Sequence, residues 1–417
     1  MMTGSEPAAR SSSGSSHLSQ FFNLADHFVD RHLREGRGES IAIRTHHAEF
    51  RYAEMQALVN RAGNGLRRLG VQEEQRVLIA LPDSPEFAAA YFGAMKIGAV
   101  AVPANTALRT GDYAWFLKES RARALIVHAD LYEEIEPLLA SQLSAQLSAQ
   151  PRPLSVIVTG SPKPGCRYWD EWLAGASDQL QAAETSADDA AFWLWTSGST
   201  GPPKAAVHLH RDWLVSCRNY AGAVLGISAR DVTFSSSRLF HAYGLGNALM
   251  FPFWCGATTV LLPERPRPQT VLQAVEHFRP TLFFSVPTLF AMMLEEAERG
   301  AYTLAGVRLA VSAAEPLPAE VFRRWKTRFG VEILDGIGST EVSHIYLSAR
   351  AGCVKPGSTG TAVPGYELRI VDHDGLEVPR GRRGRPAGLR RRHRAVLLEP
   401  PRPLRGPHAR PLVLHWR

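Results

Sequence analysis

The chain is poor in cysteine, with four in 417 residues: Cys166, Cys217, Cys255 and Cys353. No two are close enough in sequence for a zinc knuckle or a redox dithiol, so they read as reduced thiols of a cytoplasmic protein. Long apolar runs are also missing. No stretch of about 18 uncharged apolar residues occurs, which excludes a typical membrane-spanning helix and makes a membrane an unexpected partner. The first twenty residues are rich in Ser, Gly and Ala and contain no apolar segment. They read as a disordered leader rather than a secretory signal.

The body of the chain also lacks an excess of positive charge. The formal charge is +7, but residues 380–417 hold twelve Arg, no Lys and a single acid, Glu399. The other 379 residues carry 35 basic and 39 acidic side chains. A basic tail can bind nucleic acid, but a mildly acidic body does not suggest a nucleic-acid enzyme. After Pro379 neither helical nor strand periodicity persists. Arg, Pro, Gly and Ala are the residues of G+C-rich codons, so a shifted reading frame is the expected origin of this tail, with a genuine basic tail as the alternative.

Between about residues 22 and 375, apolar strand runs alternate with helix-period segments. Arg76–Leu81, Ala124–His128, Ser155–Thr159, Phe192–Trp195, Thr258–Leu262, Thr281–Val286 and Val307–Val311 read as strands. Leu24–Leu33, Tyr52–Leu69, Ser84–Ile97, Pro268–Phe278, Pro287–Glu298 and Pro318–Phe329 read as helices. Such alternation implies βαβ crossovers and largely parallel sheets. The expected fold is α/β, with a first α/β subdomain over about 21–185, a second over 186–350 and the start of a small β subdomain over 351–379. The tandem Ser141–Gln150, SQLSAQLSAQ, reads as a surface insertion.

The most informative segment runs from Trp195 through Thr196, Ser197, Gly198, Ser199, Thr200, Gly201, Pro202 and Pro203 to Lys204. Dense hydroxyls and glycines make a poor core and a poor helix but a good phosphate cradle. Glycine lets backbone N–H groups approach an anion, hydroxyls add donors, and Lys204 adds charge. A Walker A loop would place Gly before the Lys, Ser or Thr after it, and a helix beyond. Here Pro203 precedes, Ala205 follows, and the next pattern is a strand. The bland alternative is a Ser/Gly-rich hairpin turn.

This string resembles the signature loop of the adenylate-forming superfamily, T-S-G-[ST]-T-G-x-P-K-G. Ala205 stands where the family has Gly. The resemblance implies that Asp335, Gly336 and Ile337 bind adenine and phosphate, with Thr340 on the α-phosphate and Glu341, together with Thr200, on magnesium. Ser312, Ala313, Ala314 and Glu315 resemble the adenine-facing segment, with Ala314 again replacing Gly. Ser358–Gly360 through Tyr366 resembles the opening of the family's barrel-like subdomain. Leu239–Asn247 and His344 resemble the benzoate–CoA ligase subgroup. They imply an aryl slot of Ala242, Tyr243, Ile337 and Gly338, with a cationic or hydrogen-bonding His344 orienting the carboxylate and His241 as aromatic gate. Lys204, Thr340, Glu341 and His241 are the implied catalytic residues. His208 and His210 read as structural.

The implied reaction is aryl carboxylate and ATP to acyl-AMP and pyrophosphate, followed by transfer to coenzyme A, with magnesium as cofactor and a homodimer as the assembly. The family's ribose-binding Y-x-T-G-D string and its C-terminal lysine would follow residue 380, and no such string is found there. Impaired turnover is therefore expected, and a non-catalytic ATP- or acid-binding remnant is the rival reading.

Overall fold

The structure is a computed structural model that describes residues 21–140, 154–196, 203–371, 394–398 and 412–415. The repeat at 141–150 and most of the basic tail lie outside these residues. Nineteen strands occur among them. In chain order they are β1 (Ile41–Arg44), β2 (Glu49–Arg51), β3 (Arg76–Ala80), β4 (Val100–Pro103), β5 (Ala124–His128), β6 (Ser155–Thr159), β7 (Arg167–Tyr168), β8 (Ala190–Thr196), β9 (Lys204–Leu209) and β10 (Val232–Ser235). There follow β11 (Thr258–Val260), β12 (Leu282–Ser285), β13 (Leu309–Ser312), β14 (Ile333–Gly338), β15 (Ile345–Ser348), β16 (Thr361–Ala362), β17 (Glu367–Val371), β18 (Arg394–Leu398) and β19 (Leu412–His415).

The strands form three sheets. One has the order β7-β6-β5-β3-β4-β8-β9, and a second has the order β16-β15-β14-β13-β12-β10-β11-β1-β2. Both are parallel in their centres; antiparallel pairs occur at the β8–β9 edge of the first and at both edges of the second. Central strands such as Val77–Ala80 and Ala124–Val127 are buried on both faces, which is why they read as continuous apolar runs instead of alternating ones. The third sheet, β17-β18-β19, is antiparallel. Two of its strands lie where no strand was expected. Each is a short apolar run inside the Arg/Pro-rich tail, Ala395–Leu398 and Leu412–Leu414.

The six longest helices outside the 212–255 region are α1 (Tyr52–Arg68), α2 (Pro85–Lys96), α3 (Thr110–Ser120), α4 (Pro268–Phe278), α5 (Pro287–Ala297) and α6 (Ala319–Phe329). Alternate residues of each sheet face different partners. Val77 and Ile79 of β3 join Leu282, Phe284 and Val311 of the other sheet in one core, which also contains α1 and α2. Phe283, Ala310 and Ile333 face α4, α5 and α6. Leu78, Ala80 and Val102 face α3. The result is five layers, α/β/α/β/α. Helix α2 lies in the middle layer with every residue but Glu86 buried, its start fixed by Pro85 and by Ser84 Oγ accepting from Phe87 N–H at 3.3 Å. Lys96, at its end, is 1% exposed and is neutralised by Asp30 at 2.7 Å.

The sheets do not follow the division at residue 185. Strands β1 and β2 sit in the sheet of the second half, because β1 pairs with β11 and Thr258 Oγ1 donates to Ile41 O at 2.8 Å. Strands β8 and β9 sit in the sheet of the first half, where β8 pairs with β4. Each half of the chain thus lends a hairpin to the other's sheet. Among the described residues no helix is long and apolar enough to cross a membrane, and the four cysteines are unpaired.

Candidate active site

The carboxyl ends of the parallel strands carry a row of small polar residues. Ser285 is the register partner of Ser312, and Ser312 of Asp335. Ser236, one residue past β10, places its Oγ 2.8 Å from that of Ser285. Open α/β sheets bind ligands beyond the carboxyl ends of their strands. The loops that leave this row carry the implied ligand residues: 236–241, 313–318 and 339–344.

The aryl-slot residues come together. Residues 242–255 are helical, with a π-helical turn at Gly246–Met250. At its start, Tyr243 donates its hydroxyl to the carbonyls of Ser285 at 3.2 Å and Val311 at 3.0 Å. These bonds pin the ring across the ends of β12 and β13. Its ring centroid lies 5.6 Å from that of His344. Ala242 and Ile337 are half-buried and pack against the same core. Gly338 is required by a close approach, since a Cβ there would sit 2.6 Å from His344 O. His241 is exposed at the start of the helix, with its ring against Phe240.

His344 is 2% exposed and ringed by Trp213, Tyr220, Tyr243 and Phe251. Burial pushes its pKa down to about 3. The cationic role is therefore removed, and the imidazole is a neutral wall. Its Nε2 bonds Asn247 Oδ1 at 3.1 Å and reaches Tyr243 O at 3.3 Å. Gly246 makes room for the ring, because a Cβ there would lie 2.4 Å from His344 Cδ2. The motif string alone did not reveal Trp213 and Tyr220, which complete this aromatic box.

At the phosphate end, Ser197, Gly198, Ser199, Thr200 and Gly201 lie outside the described residues. The strands on either side form a hairpin in which Thr196 pairs with Lys204 and Thr196 Oγ1 donates to Lys204 O at 3.2 Å. Lys204 is exposed and has no ion pair among the described residues. The Thr340–Val342 turn is 3-10 helical. It lies against β9, where His208 Nε2 is 2.9 Å from Thr340 O. Glu341 is exposed and likewise has no ion pair among the described residues. No cluster of three or more His, Cys, Asp or Glu side chains converges among the described residues. The donor set suits magnesium, which takes one or two carboxylates plus substrate phosphates.

The two Gly-to-Ala departures differ. Ala205 occupies an extended strand position paired with Trp195, which any residue tolerates. Ala314 has φ +76°, in the left-handed region. Asp335 is buried and pushed up to about 6 by desolvation. Glu315 accepts from Thr288 Oγ1 at 2.6 Å. Pro266 lines a cleft of about 430 Å³ with His46, Ser236, Arg238 and His277.

One residue was missed altogether. Asp83, 3% exposed, accepts from Leu239 N–H at 3.0 Å and lies 3.5 Å from Arg238. It anchors the loop that carries His241. Burial raises its pKa to about 6, against the pull of Arg238 and the Leu239 amide. The signal in the sequence was an acid inside the apolar run Val77–Met95.

A hydroxyl- and glycine-rich string joins β8 to β9, and β9 packs through His208 on the Thr340 turn of the second sheet, as the frame of an adenylate-forming enzyme requires. Residues 29–385 match the family of AMP-binding enzymes, and the chain belongs to that family. It is 43% identical over 358 residues to a benzoate–CoA ligase of Thauera aromatica, covering 86% of this chain and 66% of that protein. It therefore spans just under two thirds of that relative's length. A benzoate CoA ligase from Burkholderia xenovorans LB400 superposes with a TM-score of 0.80 at 37% identity, covering 91% of this chain and 72% of the other. The anthranilate CoA ligase AuaEII, solved with anthranoyl-AMP, superposes with a TM-score of 0.84 at 34% identity, covering 91% and 70%.

Two outcomes follow from this geometry. Replacing Ala314 by Gly removes a left-handed cost of about 1–2 kcal/mol, partly offset by glycine's freer unfolded state. Urea melts should show a gain of roughly 0.5–1 kcal/mol. For Asp83, the native state holds a proton between about pH 4 and 6 that the unfolded state has lost, so its contribution to stability declines as pH rises through that interval. Asp83→Asn keeps an acceptor for Leu239 and cannot ionise. Relative to the parent, it should gain about 2–3 kcal/mol between pH 4 and pH 7 in urea melts at each pH.

Proposed function

We propose that this chain binds ATP–magnesium and an aryl carboxylate of benzoate type and brings them together for acyl-AMP formation, the first half of an acid–CoA ligation. The observation that supports this reading is that the Thr340–Val342 turn, held on β9 by His208, and Tyr243, bonded to the carbonyls of Ser285 and Val311, both lie at the carboxyl ends of the strands of the second sheet. The flat ring would lie among Ala242, Tyr243, Ile337, Gly338 and the neutral His344. Apolar and aromatic walls with few polar groups suit such a ring.

In the proposed step a carboxylate oxygen of the acid attacks the α-phosphorus of ATP. The bond from that phosphorus to the bridging oxygen breaks, and pyrophosphate leaves with the electron pair. The carboxylate and the polyphosphate, both anions, approach one another, so preorganised donors and cations govern the barrier. Lys204 and the loop 196–201 would hold the β- and γ-phosphates, Thr340 would donate to an α-phosphate oxygen, and Glu341 and Thr200 would hold magnesium. Magnesium, when bound, neutralises phosphate charge and orients the polyphosphate. Asp335 and 312–315 would face adenine. His241, at the mouth, would gate the approach of the coenzyme A thiol in the second half-reaction.

The slot is tested by Ala242→Leu. The added bulk overfills the site at a cost of roughly 1–3 kcal/mol. Calorimetry on the 417-residue chain should show benzoate affinity reduced about 10- to 100-fold while Mg-ATP affinity is kept. Unchanged benzoate affinity would place the aryl site elsewhere.

A further inference from the structure

We propose that His208 is a positioning residue that locks the Thr340–Val342 turn onto the strand leaving the phosphate hairpin, and so sets the spacing between Lys204 and the Thr340–Glu341 pair. His208 lies on β9, four residues after Lys204, and is 2% exposed. Its Nε2–H donates to the carbonyl of Thr340 at 2.9 Å. With that proton on Nε2, Nδ1 is the acceptor, and Ser343 Oγ donates to it at 3.1 Å. The imidazole thus grips the turn at both ends. Its plane is fixed by Phe192, stacked at 4.7 Å and 9°. Asp212 Oδ2 lies 3.4 Å from Nδ1 but is already engaged by Leu209 N–H at 2.9 Å.

The turn needs such a hold. It is only three residues long, and Ser343 follows it with φ +67°, a strained value for a non-glycine residue. Strain of this kind persists only where surrounding contacts over-determine it, and here the contact comes from the other sheet. A buried histidine is most often only a packing residue. This one differs because both ring nitrogens reach a single short turn, and that turn carries the two residues assigned to α-phosphate and magnesium.

The identity of the ligand rests on the function proposed above, so the test separates the two claims. Hydrogen exchange at residues 339–345 reads the turn, and calorimetry with Mg-ATP and with benzoate reads the site, all on the 417-residue chain. His208→Ala should speed exchange at 339–345 while leaving other segments unchanged. It should also weaken Mg-ATP about tenfold and leave benzoate unaffected. Unchanged exchange at 339–345, or an equal loss of both ligands, overturns the proposal. If His208→Ala fails to fold, two longer-chain variants decide. Gln can place a donor near the Nε2 position, whereas Asn reaches only the Nδ1 position. Better Mg-ATP binding by His208→Gln than by His208→Asn supports the lock, and equal binding overturns it. A parent chain that binds no Mg-ATP, combined with faster 339–345 exchange in His208→Ala, leaves the lock standing and removes the nucleotide reading.

Discussion

The arrangement depends on one buried layer. Helix α2 is enclosed on every side between two sheets, and its closed packing fixes one sheet relative to the other. Interiors at crystal-like density do not slide by fractions of a side chain, so a hairpin at the edge of one sheet can be held against loops of the other. The exchanged hairpins, β1–β2 and β8–β9, strengthen this link. The proposed phosphate-binding element and the proposed aryl slot, on separate sheets, can then act as one site.

That coupling is carried by a few buried polar contacts between distant segments. Lys96 and Asp30 neutralise each other at the end of α2. Asp83 ties the loop after β3 to the loop before the aryl helix. His208 joins β9 to the Thr340 turn. Removing one partner of a buried charge pair leaves the other uncompensated, which costs more than a surface pair does. These contacts are therefore specific joints between otherwise apolar surfaces. The proposed aryl slot follows the same logic in reverse. His344 is kept neutral by burial, so it adds a flat unit of aromatic surface beside Tyr243 without introducing a charge.

Much of the fold could be read from local pattern. Pro268–Phe278 was recovered to the residue, and the buried strands were recognised as unbroken apolar runs because both their faces are covered. Sheet membership could not be read. Ile41–Arg44 carries no mark that its partner is Thr258–Val260, some two hundred residues on, because register between distant strands is set by the packed core. The Thr196–Lys204 and Asp335–Glu341 strings stood out because their hydroxyls and glycines come in an order that a core or a helix would not require. Asp83 was not, since a single acid in an apolar run has no motif. The state of His344 was also hidden. Only the ring of Trp213, Tyr220 and Phe251, drawn from two separate helical segments, shows that it is too deeply buried to be protonated.

The central claim is that nucleotide and aryl acid occupy one continuous site. It is tested most directly by the affinity of the 417-residue chain for a non-hydrolysable benzoyl-adenylate mimic, compared with AMP and with benzoate. Joining two ligands that bind adjacent subsites makes the second contact intramolecular. The account predicts that the mimic binds far more tightly than either fragment, and that Ala242→Leu removes most of this gain. An affinity no better than that of AMP alone, or one unaffected by Ala242→Leu, would contradict it.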